Sequence, residues 1–267
     1  MTGRGTDGVD RLCSTLDAIG AVGGTVDLWW RDDDLERPSA ALDVLLGALG
    51  EHGIVPALAA VAGRMVVDVL PALEGTSARL FVHGWMHADH SATGAKKSEF
   101  GPERPIEARL AEIADGRRRL AALAGDRLVP CFVPPWNRLG DDLLDRLGGT
   151  GVMALSGFAP WHRPSAPSDV PRLDTHVDLI DWHAGRVPLT VEAVASALEV
   201  RIPQHVGPIG ILSHHLVTQA GTWQAWQPLF AMLSRHAAVR WLDPTAALAA
   251  VTTTPVVEAG SDIRRTA

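Results

Sequence analysis

The amino-acid sequence predicts an α/β protein, a (β/α) barrel of seven or eight units. Three observations carry that expectation. Strand-like and helix-like segments alternate, which implies a parallel sheet with helices outside it. The length, 267 residues, suits one such barrel, and no internal repeat or low-complexity linker divides it. Polar clusters fall at the C-terminal ends of five apolar segments, and in a parallel barrel those ends share one face. A doubly wound open sheet is the alternative arrangement of the same units.

Residues 26 to 31, VDLWWR, read as a strand of β-formers. Pro38 and Ser39 open an apolar-periodic helix that stops near Gly53. Residues 54 to 61, IVPALAAV, read as the second strand, and a helix follows from about Arg64 to Leu73. RLFVH, 79 to 83, is the third strand, and residues 104 to 124 are strongly helical. CFVP, 131 to 134, is a short strand, 140 to 147 a short helix and GVMAL, 151 to 155, another strand. Residues 156 to 172 hold four prolines and read as a long loop. HVDLI, 176 to 180, is a strand before a helix from about 190 to 201. IGILS, 209 to 213, is a strand before a helix from 222 to 236. Residues 238 to 242 form the last strand, and a helix follows Pro244. A polar tail from Thr252 is expected to fray. Residues 1 to 267 read as one domain.

With 46% hydrophobic residues the chain can bury a large core. Its formal net charge is -7, with no basic patch of the kind a nucleic-acid partner needs. Arg117, Arg118 and Arg119 read as a solvated helix face. No run of about 18 apolar residues occurs, so no membrane span is expected. The opening MTGRGTDGVDRLC has no apolar segment of the signal-peptide kind, which makes the cytoplasm the expected compartment. Cys13 and Cys131 form neither a disulfide framework nor a zinc site.

The chemistry lies at the strand ends. Asp32, Asp33 and Asp34 end the first strand, and three adjacent carboxylates there need a cation or a basic partner. HGWMHADH, 83 to 90, places His83 and His87 four apart, a spacing that can point two imidazoles at one ion. With a carboxylate from another strand end they make a His, His, Asp set. Such a set suits zinc or another divalent transition ion and leaves a position open for water. His90 falls outside the pair and reads as a neighbour. Pro134 to Arg138 follow CFV, Asp178 and Asp181 lie at the end of HVDLI, and His214 and His215 end IGILS. Trp85, Trp136 and Trp182 flank these clusters. Core packing is the ordinary role of a Trp, but beside a polar cleft it can stack on a sugar ring. His214 can serve as a general acid, since imidazole titrates near neutral pH.

With these residues in view, the chain resembles the polysaccharide deacetylase family, the NodB-homology fold of carbohydrate esterases. That family has five short motifs in fixed order. Its Asp pair matches Asp33 and Asp34 in RDDDL, with Asp32 and Asp33 as the shifted alternative. Its two metal histidines match His83 and His87. Its Arg-x-Pro-aromatic motif matches VPPW, 133 to 136, with Val133 where the arginine belongs. Asp178 to Trp182, DLIDW, match the fourth motif, and LSH, Leu212 to His214, the fifth. The resemblance spans residues 31 to 214. His215 stands where the family often has Asp or Asn, and Glu99 in KKSEFG has no counterpart: it is either a cleft residue or a helix-start acid.

The resemblance implies a distorted (β/α) barrel of seven to eight units of the glycoside hydrolase/deacetylase type. It implies metal-dependent removal of an N-acetyl group from an amino sugar or glycan intermediate. Asp34, His83 and His87 would hold one divalent ion, zinc first, with cobalt, nickel or manganese as alternatives. Asp33 would be the base and His214 the acid. Trp85, Pro135, Trp136, Asn137, Arg138, Asp178, Asp181 and Trp182 would bind the carbohydrate, and Arg31 or Arg138 would replace the motif arginine. Two other readings stand beside this one. The lost arginine motivates a glycan-binding member without turnover. The expected cytoplasmic location motivates an amidohydrolase of a small acylated metabolite.

Overall fold

The computed structural model describes residues 7 to 160 and 168 to 253. The middle of the proline-rich loop and most of the polar tail lie outside the described residues. In chain order the elements are α1 (Asp7–Ala21), β1 (Val26–Leu35), α2 (Ala40–Gly50), β2 (Pro56–Ala60), α3 (Val69–Ala72) and β3 (Arg79–His83). Then come α4 (Ile106–Ala124), β4 (Leu128–Val133), β5 (Ala154–Leu155), β6 (Thr175–Asp178), β7 (Ile180–Asp181) and β8 (Val187–Pro188). α5 (Val191–Arg201), β9 (Ile209–Ser213), α6 (Ala220–Arg235), β10 (Val239–Trp241) and α7 (Pro244–Thr253) complete the chain.

The main sheet runs β5-β4-β3-β2-β1-β9-β6, with β10 paired to the first half of β1. Every pairing in it is parallel. Isolated parallel bridges, Leu155 to Arg172 and Phe158 to Thr175, join the β5 end to the β6 end. The sheet therefore curls round as the distorted barrel expected from the sequence, and the open doubly wound sheet is set aside.

Strand alternation divides the apolar residues into two layers. Trp29, Ala57, Ala59, Phe81, Cys131, Val133 and Ala154 face the barrel interior, where Ala247 and Leu248 of α7 join them. Leu28, Trp30, Leu58, Leu80, Val82, Phe132 and Ile211 face the helices instead. Trp30 meets Phe230 of α6 edge-to-face at 5.2 Å, and Ser39 caps α2 by accepting from the Leu42 amide.

Several boundaries differ from the sequence expectation. α1 was not anticipated; it buries Leu12 and Leu16 and docks on α5, where Glu192 accepts from the Gly8 amide at 2.9 Å. β1 continues to Leu35, so the three aspartates lie inside the strand and not after it. The helix expected over 64 to 73 shrinks to α3. The Gly63 and Val66 amides bond outward to Trp85 and Glu36 carbonyls, which holds the preceding segment in turns. The helix expected over 140 to 147 is a single 3₁₀ turn at Asp141–Leu143, fixed by the Gly140 amide on Phe100 and by Asp142 on Arg109. HVDLI splits into β6 and β7, because the Asp178 carboxylate takes the Ile180 amide and breaks the run. No helix among the described residues is long and apolar enough to cross a membrane.

Candidate active site

β1 supplies three carboxylates that go to different places. Arg31 and Asp33 share the interior face with Trp29, and Asp32 shares the helix-side face with Trp30. Asp32 is wholly buried and satisfied: Ser213 Oγ donates to one oxygen at 2.5 Å and His215 Nδ1 meets the other at 2.5 Å. Trp30 Nε1 in turn donates to Ser213 Oγ at 2.8 Å. Asp33 is gripped by Arg31, Nε to Oδ1 at 2.8 Å and a second guanidinium nitrogen to Oδ2 at 3.1 Å. The same buried guanidinium donates to Ser156 Oγ, the Gly157 carbonyl and Asn137 Oδ1. Strict alternation would send Asp34 to the helix side with Asp32. A register shift and a φ of 75° at Asp34 turn it into the cleft beside Asp33.

β3 delivers His83 to the same place. Its Nδ1 donates to the Val133 carbonyl at 3.0 Å, which leaves Nε2 facing Asp34 Oδ1 at 3.2 Å. His87 Nε2 stands 3.3 Å from the same oxygen. The loop between the histidines is clamped by Glu99, itself buried, whose oxygens accept from the Trp85 amide at 3.2 Å and the Met86 amide at 2.6 Å. Gly84 at φ 61° makes room for that clamp, since a Cβ there would collide with the Glu99 carboxylate and the Pro135 ring. His87 has φ 53° and packs 4.4 Å from the Trp136 ring. Trp136 and Asn137 are also left-handed, at 56° and 53°. Of the five non-glycine residues with positive φ among the described residues, only Arg186 lies outside this cluster. Backbone strain of this kind persists where surrounding structure enforces it, commonly at sites of function.

Asp34, His83 and His87 are the group suited to a metal ion among the described residues, with ligand atoms within 4.8 Å of one another. Tetrahedral bonds of about 2.0–2.1 Å place two ligand atoms about 3.3 Å apart, close to the 3.2 and 3.3 Å seen from Asp34 to the two imidazoles. The His83–Val133 bond is the outer-shell contact that a metal-binding imidazole requires. The electrostatics agree. Burial works to raise the Asp34 pKa, but His83, His214 and His87 hold it well below the usual carboxylate range. Burial pulls His83 down, and Asp33 and Asp34 outweigh it and hold it raised. His87 is lowered by burial and by His83.

Across the cleft, His214 follows the last residue of β9. It is buried, its Nδ1 has no hydrogen-bond partner among the described residues, and Trp182 packs edge-on at 4.7 Å. Asp178 stands close enough for its charge to couple to His214, yet its oxygens accept from the Trp182 indole at 2.8 Å and the Ile180 amide at 2.9 Å. Burial raises the Asp178 pKa. Asp181 accepts from the His183 and Ala184 amides and shapes the β7–β8 hairpin.

Other expected residues fall as follows. Trp85 turns its ring onto Gly63 and packs against the helix-side core. Pro135 is buried against Gly84, Asn137 receives Arg31, and Arg138 donates to the Lys97 carbonyl at 2.9 Å. His90 is exposed and outside the ligand group. Arg31, not Arg138, reaches Asp33. Glu99, open between a cleft residue and a helix-start acid from sequence alone, clamps the loop between His83 and His87. The Asp32–Ser213–His215 network has no motif of its own in the sequence. Strand parity was the available signal for Arg31 and Asp32.

No protein-family profile matches the chain, and no curated protein matches it in sequence. Solved structures do match in shape. A family 4 carbohydrate esterase from Streptomyces lividans, solved with acetate, superposes with TM-score 0.51 at 16% identity, covering 81% of this chain and 90% of that one. The peptidoglycan deacetylase PdaC from Bacillus subtilis gives 0.51 at 14%, covering 84% and 90%. A CE4 family pseudoenzyme from Bacillus anthracis gives 0.55 at 14%, covering 84% and 66%. The chain has the fold of these proteins.

Proposed function

We propose that this chain is a metal-dependent hydrolase that removes an N-acetyl or related acyl group from an amino sugar or glycan intermediate. One arrangement carries the reading: a His, His, Asp ligand trio opens beside an arginine-held carboxylate and faces a buried histidine. Asp34, His83 and His87 would hold the ion, and two nitrogens with one oxygen favour zinc, with cobalt, nickel or manganese as alternatives. Bound there, the ion supplies Lewis acidity for the acyl carbonyl and lowers the pKa of the attacking water.

The chain's own residues carry the protons. Asp33 takes one from the attacking water, and Arg31 fixes which way its oxygens point. His214 gives one to the leaving nitrogen as the carbon–nitrogen bond breaks. Amine and carboxylate are then the products. Trp136 and Trp182 offer ring faces at opposite sides of the cleft for a sugar. The likeness to carbohydrate esterases supports a carbohydrate substrate.

Release of acetate from N-acetylglucosamine oligomers tests the reading. EDTA should abolish it and zinc or cobalt should restore it. Asp33→Asn should lower kcat by about 10²- to 10⁴-fold while the metal content stays. Undiminished activity in metal-free His83→Ala protein would overturn the metal role. A glycan-binding reading draws on the partnerless His214 Nδ1 and on the pseudoenzyme with the same fold. It requires sugar binding with no acetate release at full metal loading. The missing motif arginine no longer argues for it, because Arg31 holds Asp33. Comparing free N-acetyl sugar with oligosaccharide separates a small acylated metabolite from a polymer.

A further inference from the structure

We propose that the cleft wall at Trp136 is a subsite for an anionic group of the substrate, a carboxylate or a phosphate, received by Lys97. This rests on the hydrolase reading above and names the class of sugar the site would take. The observation begins in the sequence. Of 24 basic residues, lysine occurs only at positions 96 and 97; every other one is arginine. The fold brings this pair to the wall of the candidate site. The Lys97 ammonium lies 5.9 Å from the centre of the Trp136 ring, and that ring packs 4.4 Å from the metal-ligand candidate His87.

The loop that carries Lys97 is fixed from several sides. Arg138 donates to the Lys97 carbonyl at 2.9 Å. The Ser98 amide donates to Asp89 Oδ1 at 3.2 Å, and the Ser98 carbonyl accepts from the His90 amide at 2.9 Å. Glu99 then anchors the next residue to the loop between the two histidines. The backbone at Lys97 is thus tied to the metal loop on one side and to the Trp136 loop on the other. Its side chain is exposed, and among the described residues no carboxylate lies within ion-pair distance of it. Asp89, the acid whose charge couples to Lys97, spends Oδ1 on Ser91 and Ser98.

Charge accounting gives the surplus its meaning. Asp33 is matched by Arg31, and Asp34 faces the histidines with which it would hold the ion. Lys97 has no carboxylate at ion-pair distance among the described residues; Asp89 acts on it only from farther away. A neutral sugar needs hydroxyl-directed donors and acceptors, not an ammonium held over the neighbouring indole. An anionic substituent on a sugar lying against Trp136 would meet that ammonium while the acyl group faces Asp33. Lysine provides a compact point charge on a flexible stem, suited to either anion.

Metal-loaded enzyme is assayed with N-acetylglucosamine, N-acetylmuramic acid and N-acetylglucosamine 1-phosphate, which separate neutral, carboxylate and phosphate forms. At least one anionic form should exceed the neutral one in kcat/KM by about tenfold, as one favourable charge contact gives. Lys97→Met should collapse that ratio, Lys97→Arg should restore most of it, and added salt should erode it. A ratio near one in the wild type, or one that Lys97→Met leaves intact, overturns the proposal. If no substrate releases acetate, the hydrolase reading fails. The ratio of calorimetric dissociation constants for the same three compounds, wild type against Lys97→Met, then decides the subsite on its own.

Discussion

At position 31 a buried guanidinium donates to both oxygens of Asp33 and to Ser156, Gly157 and Asn137. Removing one partner of a buried ion pair costs about 3–5 kcal/mol, because the other charge is stranded. Arg31→Met should therefore lower the unfolding free energy by an amount of that order, read as a lower denaturant midpoint at unchanged m, and depress kcat as Asp33 loses its orientation. Arg31→Lys keeps the charge but not the fork, and should recover stability more than rate. An unchanged midpoint in Arg31→Met would mean that Asp33 has another partner. Glu99 acts on the other side of the candidate ligand trio, through the backbone between His83 and His87. Glu99→Gln should weaken zinc binding by about 10- to 100-fold, as loss of an outer-shell support does; titration calorimetry reads it, and an unaltered affinity would remove the clamp from the account. The candidate ligands were legible in the sequence, since His83 and His87 sit four apart and Asp34 belongs to a conspicuous run. Arg31 and Glu99 were harder to read. One depends on which face of a strand it occupies, the other on a loop folding back across 13 residues.

At the scale of elements, β1 was the hardest to delimit. Hydropathy ends the strand at Arg31, because a charged run ordinarily leaves the sheet. Here Arg31, Asp32 and Asp33 are buried with partners on both faces, and β1 runs on to Leu35. The Asp32 bonds to Ser213 and His215 pin the end of β1 to the end of β9, so Asp33 and His214, the proposed base and acid, neighbour one cross-link. A second tie joins β6 to β9. The Gly210 amide donates to His176 Nδ1 at 3.0 Å, which commits that lone pair to the backbone. Burial, with His205 and Arg201 nearby, pushes the His176 pKa from 6.5 down to about 3. The unfolded chain then binds a proton that the folded chain refuses. This contribution is present in full above about pH 6.5 and is lost as pH falls toward 3. The loss approaches about 1.4 kcal/mol per pH unit within that window. His176→Gln should flatten the acid limb of a stability–pH curve; an unchanged slope would assign acid sensitivity to other groups.

For the whole molecule, alternation of strand and helix made the barrel legible, while its closure was not. Closure rests on two isolated bridges between short, irregular segments, and two-residue pairings leave no periodic trace. The candidate ligands come from β1 and β3 with β2 between them, and the facing histidine comes from β9. Those strands meet only in the folded barrel, so an ion bound there stabilises the folded state alone. At a thousandfold excess over Kd the linkage is about 4.1 kcal/mol. For a domain of this size that corresponds to a rise in Tm on the order of 10 °C. Zinc should therefore raise Tm in a concentration-dependent way in the wild type and in Asp33→Asn, whose ligand trio is intact. The rise should vanish in His83→Ala. It should also shrink as pH falls, because the ion must displace a proton from His83, whose pKa the two aspartates hold above its ordinary value. Scanning calorimetry at several pH values reads all of these. A zinc-induced rise that survives in His83→Ala would place the ion elsewhere, with the close pair His176 and His205 as the first alternative to examine.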